Sequence, residues 1–99
     1  MNISWSYSAT KSLKAIYAFR KEVAGLNSAK KLRKKIFETT ARLKTFPQLG
    51  KLVKKGKFKK YEIRFLIHGH YKIFYRIFDD EIVIINVADT RTNPEELLG

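Results

Sequence analysis

The sequence contains no cysteine, few acidic residues and no long apolar run. Without cysteine, neither a disulfide nor a thiolate metal site can form. No run approaches the roughly 20 apolar residues of a membrane span. The N-terminal segment MNISWSYSATKSLK also lacks the basic-then-apolar order of a signal peptide. We therefore expect a cytoplasmic protein with no membrane segment.

Several catalytic motifs are missing as well. The chain has no Ser-His-Asp arrangement, no glycine-rich phosphate loop and no clustered metal ligands. His68 and His70 flank one glycine in a predicted turn, and two ligands fall short of the three or four that a protein zinc site supplies. We expect no metal and no cofactor.

Positive charge is the strongest feature that is present. Lys and Arg number 21 against 9 Asp and Glu, which gives a formal net charge of +12. Residues 1–60 carry 17 basic and 2 acidic side chains, whereas residues 61–99 carry 4 and 7. This imbalance favours a polyanionic partner such as nucleic acid, an anionic surface or an acidic protein segment.

The C-terminal third of the chain predicts three strands in a meander. Apolar residues alternate from Tyr61 to Ile67 and again from Tyr71 to Ile77, a period of two that is typical of strands. Short polar turns at 68–70 and 79–80 separate the runs. The last run, 82–87, is apolar on both faces, so we expect it to be covered on both sides.

The N-terminal half predicts one short strand over residues 3–7 and two helices. Ser8 is the expected N-cap of the first helix, whose apolar positions include Val23 and Ala24, and Gly25 is its expected stop. Asn27 or Ser28 is the expected cap of the second helix. Its apolar positions at helical spacing are Ala29, Leu32, Ile36, Leu43 and Phe46.

Two groups of basic residues are candidate binding surfaces. The first lies on the second helix, opposite its apolar stripe: Lys30, Lys31, Arg33, Lys34 and Lys35. The second follows Pro47, and within it residues 54–57 are predicted to form a loop or hairpin that leads into the sheet: Lys51, Lys54, Lys55, Lys57, Lys59 and Lys60. The alternative is that both are solvated faces without a ligand.

The predicted order is strand, helix, helix and three strands, in one domain over residues 1–99. This order indicates an α+β fold in which an antiparallel helical hairpin packs on one face of a mainly antiparallel sheet. Asn93, Pro94 and Glu96 predict a short final helical turn.

Five segments in this order resemble the RelE/ParE superfamily of type II toxin–antitoxin modules. They are Trp5 with Ser8-Ala9, Leu43 with Pro47-Gln48-Leu49-Gly50, Ile63-Arg64-Phe65-Leu66, Tyr71 to Ile77, and Ile82 to Val87 with Asp89-Thr90-Arg91. The resemblance implies a growth-inhibiting toxin that a cognate antitoxin neutralises. RelE-like members are ribosome-dependent mRNA endonucleases, whereas ParE-like members poison DNA gyrase.

The RelE pattern implies a phosphate site that can be carried over residue by residue. Its paired second-strand cations fall on Glu62 and Arg64, its third-strand arginine on Lys72 and its late arginine on Arg91. Cations at these positions would stabilise the charge of a phosphorane transition state, and Glu62 would serve as a base. The terminal aromatic acid falls near Leu97, which cannot donate a proton.

Other roles for these side chains remain open. His68 or His70 could replace the missing acid, or be exposed polar residues. Arg64 and Arg76 could form surface ion pairs with Glu62, Asp79 or Glu81. Under the nuclease hypothesis, Lys54, Lys55, Lys57 and Lys59 bind ribosomal RNA.

Three functions follow from the resemblance: a ribosome-dependent endoribonuclease, a gyrase poison, and a non-toxic module that binds only its antitoxin. The lost acid position and the ParE-like Asp-Thr-Arg ending slightly favour the gyrase poison. All three imply an acidic, partly disordered antitoxin. We expect it to lay a helix or strand against the helical hairpin and the exposed sheet surface. Its acidic residues should pair with Lys30, Arg33, Lys34 and Lys35 of the second helix.

Overall fold

The computed structural model describes residues 1–57 and 61–91. Its elements are β1 (Asn2–Trp5), α1 (Tyr7–Ala24), α2 (Leu26–Ala41), a 3-10 turn (Arg42–Lys44), β2 (Lys51–Lys55), β3 (Tyr61–His68), β4 (Tyr71–Phe78) and β5 (Glu81–Asp89). The predicted α+β class and the order of elements are confirmed. The predicted turn at 93–96, with Leu97, and the basic residues Lys59 and Lys60 lie outside the described residues.

The five strands form one sheet in the order β1-β5-β4-β3-β2. Strand β1 pairs with β5 in parallel, and every other pair is antiparallel. Strand β2 contains the first two residues of the predicted loop or hairpin at 54–57, and it pairs with β3 in antiparallel orientation, as a hairpin requires. It lies at the sheet edge with all five residues exposed, and three of them are lysines. Because neither side of this edge strand is buried, its sequence does not alternate between apolar and polar residues.

A single glycine joins the two helices. Gly25 has φ +93°, a conformation that glycine adopts without strain. Its N–H donates to the carbonyl of Lys21, and its own carbonyl accepts from the N–H of Ala29. Because Gly25 ends α1 and starts α2 directly, the prediction that Asn27 or Ser28 caps α2 was wrong.

The first helix begins two residues earlier than predicted. The Ser6 hydroxyl accepts from the N–H of Ala9 at 3.0 Å, so Ser6 and not Ser8 is the N-cap. The backbone N–H of Ser6 also donates to the carbonyl of Ile84. Strand β1 therefore ends at Trp5 and leads directly into α1.

The helices cover one face of the sheet, and the core lies between the two layers. α1 packs on β5 and α2 on β3. The fully buried side chains include Ile36, Leu43, Ile73, Tyr75 and Ile84. We call this side of the sheet the helix face and the opposite side the open face.

Three predicted core positions are exposed. Val23 and Phe46 are 62% and 59% exposed, and Ala24 is exposed as well. The buried residues of α1 are Ala9 and Leu13, both in its first half, so the end of this helix contributes little to the core. On β5, Ile82 and Ile84 are fully buried on the helix face. Val83 is only half-buried. The prediction that β5 is covered on both faces therefore holds fully for the helix face only.

The strand register places the apolar stripes of β3 and β4 on opposite faces. The turn at Gly69 and His70 sets His68 opposite Tyr71, so Ile67 pairs with Lys72 and Arg64 with Tyr75. Cross-strand partners point to the same face. The stripe of β4 therefore lies in the core, whereas the stripe of β3 lies on the open face.

Candidate functional site

Arg64 lies on the helix face, where its guanidinium group is occupied by groups of the protein itself. Its Nε donates to Oε2 of Glu62 at 2.8 Å, and both side chains are only 15% exposed. Its Nη1 donates to the carbonyl of Gly50 at 2.7 Å and, more weakly, to that of Gln48 at 3.4 Å. The alternative in which Arg64 forms an ion pair with Glu62 is thus confirmed.

Glu62 is held in its charged form. The hydrogen bond from Arg64 is the main reason that its pKa lies below the ordinary value; burial opposes this effect, and the amide of Gln48 adds a further hydrogen bond. A carboxylate with a lowered pKa is a weaker base. This setting favours a structural role over proton abstraction.

The side chain of Tyr75 holds the loop at residues 47–50 by two hydrogen bonds. The Tyr75 hydroxyl donates to the carbonyl of Pro47 and accepts from the N–H of Gly50, both at 2.8 Å. Burial raises the pKa of Tyr75, so the hydroxyl stays protonated and can donate. A Cβ at Gly50 would lie 2.7 Å from the carbonyl oxygen of Phe65 and from the Tyr75 ring, which requires glycine there. These two hydrogen bonds could not be predicted from the sequence, because they join residues that are 25 and 28 positions apart in the chain.

Lys72 lies on the open face. Its ammonium group lies 4.5 Å from the centroid of the Phe65 ring, within the range of a cation–π contact. Because Lys72 pairs with Ile67 and Arg64 with Tyr75, Lys72 and Arg64 project from opposite faces of the sheet. The structure therefore does not bring these two cations to one phosphate.

Arg91 lies beyond the end of β5 and is fixed by Asp89. Its Nε and Nη2 donate to the two carboxylate oxygens of Asp89 at 3.0 and 2.7 Å. These hydrogen bonds lower the pKa of Asp89 and raise that of Arg91. Thr90 joins this strand end to the neighbouring turn by donating to the carbonyl of His70 from both its N–H and its hydroxyl.

The two histidines bound the turn between β3 and β4. His68 is half-buried and His70 is exposed. Among the described residues, no group of three or more His, Asp and Glu side chains is placed to hold a metal ion.

The basic face of α2 is exposed. Arg33 lies over the Tyr17 ring at 4.6 Å, and Lys34 and Lys35 lie 4.0 and 3.5 Å from Glu38. Exposed pairs of this kind contribute little stability, so these cations are available to a partner. Lys30 is exposed on the same helix, and Lys54, Lys55 and Lys57 are exposed on or just after β2.

A protein-family model decides the classification. The model described as "ParE toxin of type II toxin-antitoxin system, parDE" matches residues 3–94. This chain belongs to the ParE toxin family. It is thus a toxin of the type II toxin–antitoxin class, as the resemblance to the RelE/ParE superfamily predicted, and ParE membership implies an antitoxin partner.

Solved structures share this ParE fold. One described as "Chromosomal ParDE TA system from P. aeruginosa" superposes with a TM-score of 0.75 and 22% sequence identity, over 92% of this chain and 97% of that chain. At this identity the likeness shows the fold only. None of the curated proteins matches the chain. Within the described ranges, neither helix has the length and hydropathy that a membrane span needs.

Proposed function

We propose that this ParE-family chain inhibits growth by binding DNA gyrase and trapping its cleaved-DNA intermediate. In this mechanism it acts as a protein ligand and performs no phosphoryl transfer of its own. Gyrase poisoning is the activity that the resemblance implied for ParE-like members, and the family match favours that branch.

The position of Arg64 is the observation that carries this proposal. A metal-independent nuclease needs cations that converge on the scissile phosphate, with free hydrogen-bond donors. Arg64 instead donates to Glu62 and to the 47–50 loop, and Lys72 projects from the opposite face. Glu62, with its lowered pKa, is a poor base.

The experiment compares two activities of the same purified full-length chain. In the first, gyrase, ATP and plasmid are incubated with the chain, and enzyme-linked DNA breaks are counted after denaturation. In the second, programmed ribosomes are incubated with the chain, and mRNA 5′-ends are mapped. We expect gyrase-linked breaks and intact mRNA. Codon-phased mRNA cuts without DNA breaks would replace this proposal with the endonuclease.

Variants at Lys72 and Arg91, the two candidate cations that make no contact with the 47–50 loop carbonyls, sharpen the comparison. Lys72→Ala with Arg91→Ala removes both without disturbing the loop that Arg64 supports. An endonuclease that used these cations would lose its mRNA cuts in this variant, and Lys21→Ala with Lys44→Ala is the charge-matched control. If the soluble wild-type chain does neither reaction and cells expressing it without antitoxin grow normally, it is a non-toxic antitoxin-binding module.

We further propose that the antitoxin is acidic and binds the exposed basic face of α2 at Lys30, Arg33, Lys34 and Lys35. The exposure of these side chains and the weakness of their internal pairs support this assignment. The contact would combine charge with the apolar surface of Phe37, which is 44% exposed on the same helix.

A further inference from the structure

The open face of the sheet carries an uncommon combination of aromatic and basic side chains. The register places four aromatic residues of β3 and β4 there: Tyr61, Phe65, Phe74 and Phe78. It places four cations on the same face, two on β4 and two on the edge strand: Lys72, Arg76, Lys51 and Lys54. The other open-face positions of β3 and β4 are Ile63 and Ile67, so these two strands contribute no acid.

On the helix face of the same strands, the arginine is paired with an acid and the other side chains belong to the core. There β3 carries Glu62, which neutralises Arg64, and β4 carries the core residues Ile73 and Tyr75. On the open face, the acid in register is Glu81, opposite Phe78 at one end. Within the described ranges 1–57 and 61–91, the positive charge of the open face is therefore not balanced across its centre.

The rings and cations of the open face lie close together. The Phe65 and Phe74 rings have centroids 5.8 Å apart, and the Lys72 ammonium group lies 4.5 Å from the Phe65 centroid. One hollow of about 400 Å³ is lined by Lys51, Phe65 and Lys72 among others. A second, of about 460 Å³, is lined by Tyr61, Ile63, Arg76 and Phe78. Each hollow combines aromatic surface with a cation.

We propose that the open face binds single-stranded nucleic acid. Bases would stack on the rings of Phe74 and Phe78, and phosphates would contact Lys72 and Arg76. Sheets that present aromatic side chains to unpaired bases, and grooves that pair stacking rings with cations, bind single strands in this way. This contact is additional to the proposed binding of gyrase.

Two other polyanions fit the face less well. An acidic peptide would satisfy the cations, but its carboxylates would leave the rings without a stacking partner. A duplex would contact the cations through its phosphates, but its bases are already stacked on one another and cannot reach the rings. The presence of Phe74 and Phe78 beside Lys72 and Arg76 on one face therefore favours unpaired bases.

The test measures fluorescence anisotropy of labelled oligonucleotides with the full-length chain. The probes are a short single-stranded DNA, the corresponding RNA, an abasic DNA strand of equal charge, and a duplex. The abasic strand separates stacking from charge, which matters for a chain of net charge +12. We expect the base-containing single strands to bind about tenfold more tightly than the abasic strand. Comparing the RNA with the DNA probe shows whether ribose or deoxyribose is preferred.

Variants localise the contact. Lys72→Gln with Arg76→Gln should lower the slope of log Kd against log salt by about 1.4, because each phosphate contact to a single strand releases roughly 0.7 counterions. Lys21→Gln with Lys44→Gln, which removes equal charge from α1 and the 3-10 turn, should change the slope less. Phe74→Leu and the more exposed Phe78→Leu should each weaken binding of base-containing strands and leave abasic binding unchanged.

Photocrosslinking of the wild-type chain tests the same site without any substitution. An oligonucleotide that carries 5-iodouracil should crosslink to peptides of β3 or β4. Equal binding of abasic and normal strands, crosslinks confined to α2, or equal displacement by an acidic peptide of matched charge would each overturn the proposal. Gyrase trapping is measured separately, so either activity can fail without the other.

Discussion

Arg64 and Glu62 stand two residues apart on one strand, and their side chains join over 2.8 Å on the helix face of the sheet. The pair also supports the 47–50 loop, because the same guanidinium group donates to the carbonyl of Gly50. The arginine that most resembled a catalytic group is thus part of the scaffold. Its substitution would test folding before it tested activity.

Glu62→Gln should lower stability at neutral pH by about 1–3 kcal/mol, because Arg64 would lose a charged acceptor in a partly buried site. Since the folded-state pKa of Glu62 is lowered, its contribution is present above the unfolded-state pKa of about 4.3 and is lost as pH falls through the folded-state value. Urea unfolding at several pH values should therefore show wild type and variant converging in acid. Glu22→Gln is the control, since Glu22 is exposed on α1. Curves that stay parallel below pH 4 would refute this account.

Tyr75→Phe should destabilise the fold by about 1–3 kcal/mol, because the buried N–H of Gly50 and the carbonyl of Pro47 would both lose their partner. The variant should also let the amides of residues 48–50 exchange hydrogen faster, which NMR can measure. Tyr7→Phe is the matched control, since Tyr7 is 81% exposed. Equal stability of the two variants would mean that the Tyr75 hydroxyl does not hold the loop.

Gly50→Ala should cost about 1–3 kcal/mol through steric overlap, because the new Cβ would meet the backbone oxygen of Phe65 at 2.7 Å. Gly69→Ala provides a contrast, since nothing lies within 4 Å of its added Cβ, but its φ of +57° is unfavourable for alanine. We expect about 1 kcal/mol there from the backbone alone. Thermal unfolding ranks the two, and a larger loss for Gly69→Ala would contradict the crowding at Gly50.

Lys34→Glu with Lys35→Glu should weaken the complex with an acidic antitoxin by at least about tenfold at low salt, with the difference shrinking as salt is added. The two side chains are 78% and 64% exposed, so the fold should tolerate the change. Lys21→Glu with Lys44→Glu carries the same net charge and controls for long-range attraction. Calorimetry against the cognate antitoxin supplies the affinities, and equal losses in the two variants would remove α2 as the contact surface.

The sequence by itself determined the elements and the family. Period-two runs predicted β3 and β4, and a continuous apolar run predicted β5. Helical spacing and Gly25 predicted the hairpin, and the order of motifs indicated a RelE/ParE toxin. These predictions were correct because each depends on residues that are close together in the chain. The cap at Ser6 was missed because Ser6 and Ser8 look alike locally, and the pairing of β1 with β5 selects between them.

Only the tertiary structure decided what each charged residue does. The alternation of β3 was visible, but its apolar stripe lies on the open face, and the stripe of β4 lies in the core. The two-residue turn fixes this register, and the helices then bury one face only. Arg64 consequently meets Glu62 and a loop carbonyl, while Lys72 meets Phe65 on the other side. Arg64 and Lys72 are eight positions apart in the chain, yet they lie on opposite faces of the sheet. Strand register and helix packing decide which face each side chain occupies, and both are long-range properties.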